Sequence, residues 1–165
     1  MNGVAIAALA RGWIDTRYRH QASLKGIGCD CLGLVRGVWR ETLGPEPQAV
    51  PAYSPDWAEA GLREDLLDAA RRHMIAREAG SFEAGDVLLF RWRAYLPAKH
   101  AAIAVSSDRM VHAQEGARVC EVAVNSWWRR HLAGAFAFPL SPSPQGGGEE
   151  AVHGANPSPA RGEGK

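Results

Sequence analysis

Asp30-Cys31-Leu32-Gly33-Leu34-Val35-Arg36-Gly37-Val38-Trp39-Arg40 reads as a helix whose entrance is marked. Leu34, Val35 and Val38 fall on one face at helical spacing, and Asp30 stands where a short carboxylate accepts the free N–H groups of a first turn. Cys31 therefore occupies that first turn. Upstream, Val4, Ile6, Ala8, Leu9, Trp13 and Ile14 predict an amphipathic first helix over residues 4–16, leading into a polar, Gly-punctuated loop over 18–28. Downstream, Pro45, Pro47, Pro51 and Pro55 mark an extended connection. Trp57, Leu62, Leu66, Leu67 and Ala70 then predict a third helix over residues 56–72. Beyond His73 the apolar period shortens from the helical 3.6 to about 2. Strands are expected at residues 74–77, 86–92, 100–106, 109–114, 119–124 and 133–138, with a helical turn at 126–131. Helices followed by consecutive strands predict an α+β fold: N-terminal helices packed on an antiparallel sheet of five or six strands.

The whole chain frames this reading. It has 165 residues, with 19 Lys and Arg against 18 Asp and Glu, a formal net charge of +1. Such a balance gives no basic footprint for nucleic acid, and no apolar run approaches the roughly 18–20 residues of a membrane span. Residues 141–165 hold 6 of the 18 Gly and 4 of the 10 Pro but no Ile, Leu, Met, Phe, Trp, Tyr or Cys. That composition cannot offset its own ordering entropy. Residues 1–139 are thus expected to form one domain and residues 140–165 a disordered Gly/Pro/Ser-rich tail. The N-terminal stretch has no basic residue before its apolar run, and Arg11, Asp15 and Arg17 follow it closely. Synthesis in the cytoplasm without a signal peptide is expected. Three cysteines, with Cys29 and Cys31 too close to bridge comfortably, argue against a disulfide scaffold.

Cys31 is the first candidate for chemistry. A thiol at a helix start feels the positive end of the macrodipole, which favours thiolate, and the N–H groups there, that of Leu32 among them, can stabilise an oxyanion. The plain alternative is a small buried hydrophobe. A thiol nucleophile also needs a base, and the base an orienter. His100 opens an apolar strand and His112 lies in the next one. If the intervening Ser106-Ser107-Asp108 turn has three residues, His112 pairs with Ala102 and shares a face with His100. A two-residue turn would pair it with Ile103 and separate the imidazoles. Taken singly, each histidine also reads as an ordinary satisfied imidazole.

Together these blocks form a pattern. The order Tyr18-Arg19-His20-Gln21, Gly28-Cys29-Asp30-Cys31-Leu32-Gly33-Leu34-Val35, Gly85-Asp86-Val87-Leu88-Leu89-Phe90, His100-Ala101-Ala102-Ile103 and Met110-Val111-His112-Ala113 resembles the NlpC family of papain-like cell-wall cysteine peptidases. Within it the match looks nearest to the phage and gene-transfer-agent branch. The resemblance implies a papain-like fold in which Cys31 is the nucleophile, His100 the general base and acid, and His112 the residue that orients His100. It places Tyr18 in the active-site groove, where its hydroxyl would bind substrate or aid the oxyanion. Asp30 matches the aspartate beside the cysteine and is expected to cap the helix. Where the family often carries Trp-Gly-Gly, this chain has His20-Gln21-Ala22. The implied substrate is the peptide stem of peptidoglycan, typically cut between D-glutamate and diaminopimelate, with tail hub or baseplate proteins as partners and no cofactor.

Other readings compete. Cys29, Cys31, His100 and His112 suggest zinc, but a one-residue cysteine spacer is atypical of structural sites. A catalytically silent tail protein with the same fold, or a thiol acyltransferase or amidase acting on other substrates, would keep the same residues. Arg91, Trp92, Arg93 and Lys99 read as a solvated loop ahead of His100. Trp127-Trp128-Arg129-Arg130 reads as core packing with a basic outer side, Trp39 and Trp57 as core, and Cys120 as strand packing.

Overall fold

The computed structural model describes residues 1–56, 61–78 and 80–140. The expected tail and Trp57 lie outside these, apart from Leu140. Helix α1 (Gly3–Arg11) starts at Asn2, whose side-chain oxygen accepts the N–H of Ala5 at 3.0 Å. It is shorter than expected, because the chain leaves the helix after Arg11 and Asp15 takes φ of 71°. The loop that follows holds a small hairpin, β1 (Ser23–Leu24) and β2 (Gly28–Cys29). Polar composition hid it, since each strand has only two residues. Cys29, expected in a loop, is fully buried in β2.

Helix α2 (Cys31–Leu43) begins where the sequence places it, with Asp30 as the cap. It buries Leu34 and Val38 completely. Gly37 lets it approach α1: a Cβ there would lie 2.0 Å from the Trp13 ring. Helix α3 (Asp65–His73) covers the second part of the expected helix, of which residues 57–60 lie outside the described ones. Leu62, assigned to its apolar face, is 66% exposed and has φ of 49°, outside helical space.

The remaining elements are β3 (Ile75–Ala76), β4 (Val87–Phe90), β5 (His100–Ala104), β6 (Arg109–His112), β7 (Cys120–Ala123), α4 (Ser126–His131) and β8 (Leu132–Ala137). The six strands form one antiparallel sheet in the order β3-β8-β4-β5-β6-β7. Helix α4 carries the chain from the β7 edge back to β8. Every residue of β4 and β5 is buried, because both faces of the sheet centre are covered. On one face Val87, Leu89, Ala101 and Ile103 pack with the side chains of α1, α2 and α3. On the other, Leu88, Phe90, Ala102, Ala104 and Met110 pack with Phe82 and Trp128. Ahead of β4, the buried Asp86 is paired with Arg77 Nε at 3.0 Å and accepts the N–H of Glu83 at 2.9 Å. Among the described residues no helix is long and apolar enough to cross a membrane.

Candidate active site

The site begins at the entrance of α2. One oxygen of Asp30 accepts the N–H of Gly33 at 2.7 Å. The other accepts the N–H of Gln21 at 2.7 Å and the hydroxyl of Tyr53. The carboxylate is thus spent on protein donors, as a cap and a tie between three segments. Cys31 is half-buried beside it, its sulfur 3.8 Å from the carbonyl oxygen of Lys99 just ahead of β5. Burial pushes the thiol up to about 11, and the negative Asp30 pushes the same way. The N–H groups of Ala101, Leu32 and Cys31 itself favour the thiolate. The expected helix-start effect is present, but desolvation outweighs it. The resting group is a neutral thiol.

The histidines come from the strand pair. Val105 pairs with Arg109 through a 2.8 Å bond, leaving the three-residue turn 106–108. Ala102 consequently faces His112, the arrangement that brings both imidazoles to one face. His100 Nε2 and His112 Nδ1 are 3.0 Å apart and both rings are buried. Burial holds both imidazoles below their ordinary value, and each proton on one ring disfavours a proton on the other. His100 is therefore a neutral base with its Nε2 engaged by His112.

Sequence reasoning missed the aromatic surroundings of this pair. Trp92, read as part of a solvated loop, lies 5.5 Å from His100 and within 28° of parallel. Trp128 of α4 lies 5.6 Å from His100 at 27° and meets His112 edge-on at 5.4 Å. Trp127 on the same helix is 42% exposed, so of the two tryptophans only Trp128, half-buried, packs against the core. Arg91 is also no solvated rim residue: it reaches Glu64 at 2.7 Å and the Leu96 carbonyl at 2.9 Å. Positions 92 and 128 carry no periodic signal that links them to His100, 8 and 28 residues away.

Cys31 and His100 line one groove of about 980 Å³. Tyr18 lines it as expected, its hydroxyl pushed up to about 12 by burial and by the nearby Cys31 and Asp30, so that it stays a hydrogen-bond donor. The Pro-rich connection, read only as extended surface, forms a wall of the groove. It is fastened by Tyr53 on Asp30, by Glu46 on Arg36 at 2.7 Å and by Gln48 on His73 at 2.8 Å. Cys120 pairs opposite His112 in β7 and is half-buried. Among the described residues no cluster of three or more His, Cys, Asp or Glu is arranged to hold a metal.

Comparisons with known proteins follow this geometry. A family model described as NlpC/P60 family matches residues 15–137. The NlpC/p60 domain of the peptidoglycan hydrolase SagA superposes with a TM-score of 0.57 at 24% identity, over 84% of this chain and 100% of that one. A Staphylococcus aureus NLP/P60-family protein, titled as similar to lipoprotein, gives 0.56 at 18% identity over 84% and 42%. A Bacillus cereus NlpC/P60 family protein gives 0.59 at 17% identity over 82% and 39%. This chain spans all of the first and less than half of the other two. No curated protein matches it. At such identities the superpositions establish the fold, and the family model, which runs from the end of the α1 region through β8, carries the kinship. With the papain-like α+β arrangement and the groove of Cys31 and His100 already described, this chain belongs to the NlpC/P60 family.

Proposed function

We propose that this chain is a cysteine peptidase that hydrolyses amide bonds in the peptide stems of peptidoglycan, with Cys31 as nucleophile, His100 as general base and acid, and His112 as orienter. One observation carries the reading: a helix-start thiol shares one groove with His100, a buried imidazole whose Nε2 is engaged by His112 behind it. The peptidoglycan hydrolase named among its structural neighbours supports the substrate class.

The resting charges shape the mechanism. With a neutral thiol and a neutral imidazole, His100 takes the proton from Cys31 as the sulfur attacks the amide carbon. The carbonyl π electrons move to oxygen, and the N–H groups at the α2 entrance, with the Tyr18 hydroxyl, receive that oxyanion. His100 then gives the proton to the leaving amine as the C–N bond breaks. Water, deprotonated by the same ring, attacks the thioester, and the carboxylic acid departs as the thiol is restored. His112 holds His100 through its Nε2 throughout.

The bond between D-glutamate and diaminopimelate is the proposed cleavage point, and the proposed setting is the tail of a phage-like or gene-transfer-agent particle. In that setting the chain is made in the cytoplasm, assembled with hub or baseplate proteins and used in the periplasm of the target cell. Both refinements are supported by the resemblance of the Asp-Cys-x-Gly-Leu-Val and two-histidine blocks to that branch of the family.

The test is digestion of diaminopimelate-type peptidoglycan by wild type and by Cys31→Ala, with products identified by mass and a chelator control. Cysteine-dependent release of stem fragments is expected, and their masses name the bond. A folded protein with an alkylatable Cys31 that releases nothing would point to an acyltransferase or to a silent tail protein.

A further inference from the structure

Two indoles meet at the histidine pair. The Trp92 and Trp128 rings are 6.1 Å apart and inclined at 53°, forming a V. The His100 ring lies across its mouth, near-parallel to both indoles. Phe90, opposite His100 on β4, supports it from 6.1 Å and meets Trp128 at 4.8 Å. Trp128 also stands edge-on to His112, so one indole touches both partners of the 3.0 Å bond. Helix α4 is short, and Trp128 is the aromatic it packs on the sheet face of Phe90, Ala102 and Met110. The V is itself braced: Asn125 accepts the N–H groups of Trp127 and Trp128 at 3.1 and 3.2 Å, and Trp127 meets Trp128 edge-on at 5.0 Å.

We infer that Trp128, with Trp92, is a positioning residue: the two indoles fix the plane of the His100 ring and keep water from the His100–His112 hydrogen bond. Flat near-parallel contacts of this kind allow an imidazole to slide but not to tip. A ring held in one plane keeps Nε2 on His112 while the residue lines the groove. Exclusion of water keeps the donor of that bond from exchanging its partner for solvent. The titratable group in contact with His100 is His112 on β6, while Cys31 at the α2 entrance lines the same groove. The neighbouring charges are directed elsewhere: Arg129 to the Ser107 carbonyl at 2.8 Å and the Phe82 ring, Arg91 to Glu64, and His131 to the Trp127 carbonyl at 2.7 Å.

This inference deepens the peptidase reading and rests on it for its catalytic meaning, but its test does not need turnover. Imidazole resonances of His100 and His112 are titrated by NMR in the full chain, in Trp128→Leu and in Trp128→Phe. In Trp128→Leu the His100 midpoint is expected to climb toward the ordinary imidazole value of about 6.5 as water reaches the ring, and in Trp128→Phe to stay near wild type. On peptidoglycan fragments, kcat of the leucine variant is expected to fall roughly ten- to a hundredfold with KM little changed, and its acid limb to move up with the titration. A folded Trp128→Leu whose His100 titrates as in wild type overturns the inference. Should that variant not fold, Trp92→Leu opens the same V from its half-buried side and is judged by the same titration. A shifted titration in a protein that never releases wall fragments would sustain the positioning role and sink the peptidase reading instead.

Discussion

The helix entrance at Cys31 and the strand pair bearing His100 and His112 are both sheltered from water, yet they are held by different means. Asp30, Gly33 and Cys31 are neighbours in sequence, and the cap bond spans three residues. The histidines are twelve residues apart, brought together by a three-residue turn and covered by indoles from two other segments. One half is local and backbone-borne, the other is non-local and built of side chains. Damage to the cap bonds of the first is therefore expected to appear in stability, and damage to the second in chemistry.

The sharpest way to break that contrast is Cys31→Ala. It removes the sulfur but none of the cap bonds, so turnover on peptidoglycan is expected to vanish while the melting temperature barely moves. Next, His100→Ala is expected to cost about a thousandfold or more in kcat and His112→Ala about a hundredfold, since one carries the proton and the other only holds its carrier. Steady-state rates on stem-peptide fragments decide this, and equal losses would merge the two roles. Asp30→Ala tests the other half. It strips three donors of their acceptor inside a buried turn and is expected to cost about 2–4 kcal/mol of stability, measured by denaturant unfolding.

The smallest effect is in pH. Burial lowers both imidazole pKa values in the folded chain, while in the unfolded chain they return to about 6.5. Below that value the unfolded state binds protons the folded state refuses, so stability is full above about pH 6.5 and falls as pH drops beneath it. Melting curves between about pH 7.5 and 5 are expected to show this decline, and His112→Gln to flatten part of it. Glu121, held down to about 2 by Arg11 and Arg109, titrates in a lower window and leaves this one clear.

Much of the architecture could be read from the chain because its signals are local. The change of period at His73, the Asp30 cap and the 126–131 turn all rest on residues within one or two turns of each other, and each stands where expected. The failures have a shared cause too. Trp57, Leu62 and Leu66 suggested one long helix, but Leu62 adopts a left-handed backbone that interrupts it before the helix of Asp65–His73. Periodicity registers apolar spacing and says nothing about a break between two segments that happen to be in phase. The β1–β2 hairpin was invisible because two-residue strands leave no period at all.

The candidate site divides along the same line. Sequence by itself determined the capped helix start, the thiol in its first turn and the two histidines on successive strands, because capping and alternation depend on spacing along the chain. Which face His112 would take was open until the 106–108 turn closed with three residues and paired it with Ala102. Tertiary structure alone decided that Trp92 and Trp128 enclose His100, that the Pro-rich connection walls the groove, and that burial leaves Cys31 a thiol. Those outcomes come from desolvation and contact between distant segments, which exist only once the chain has folded.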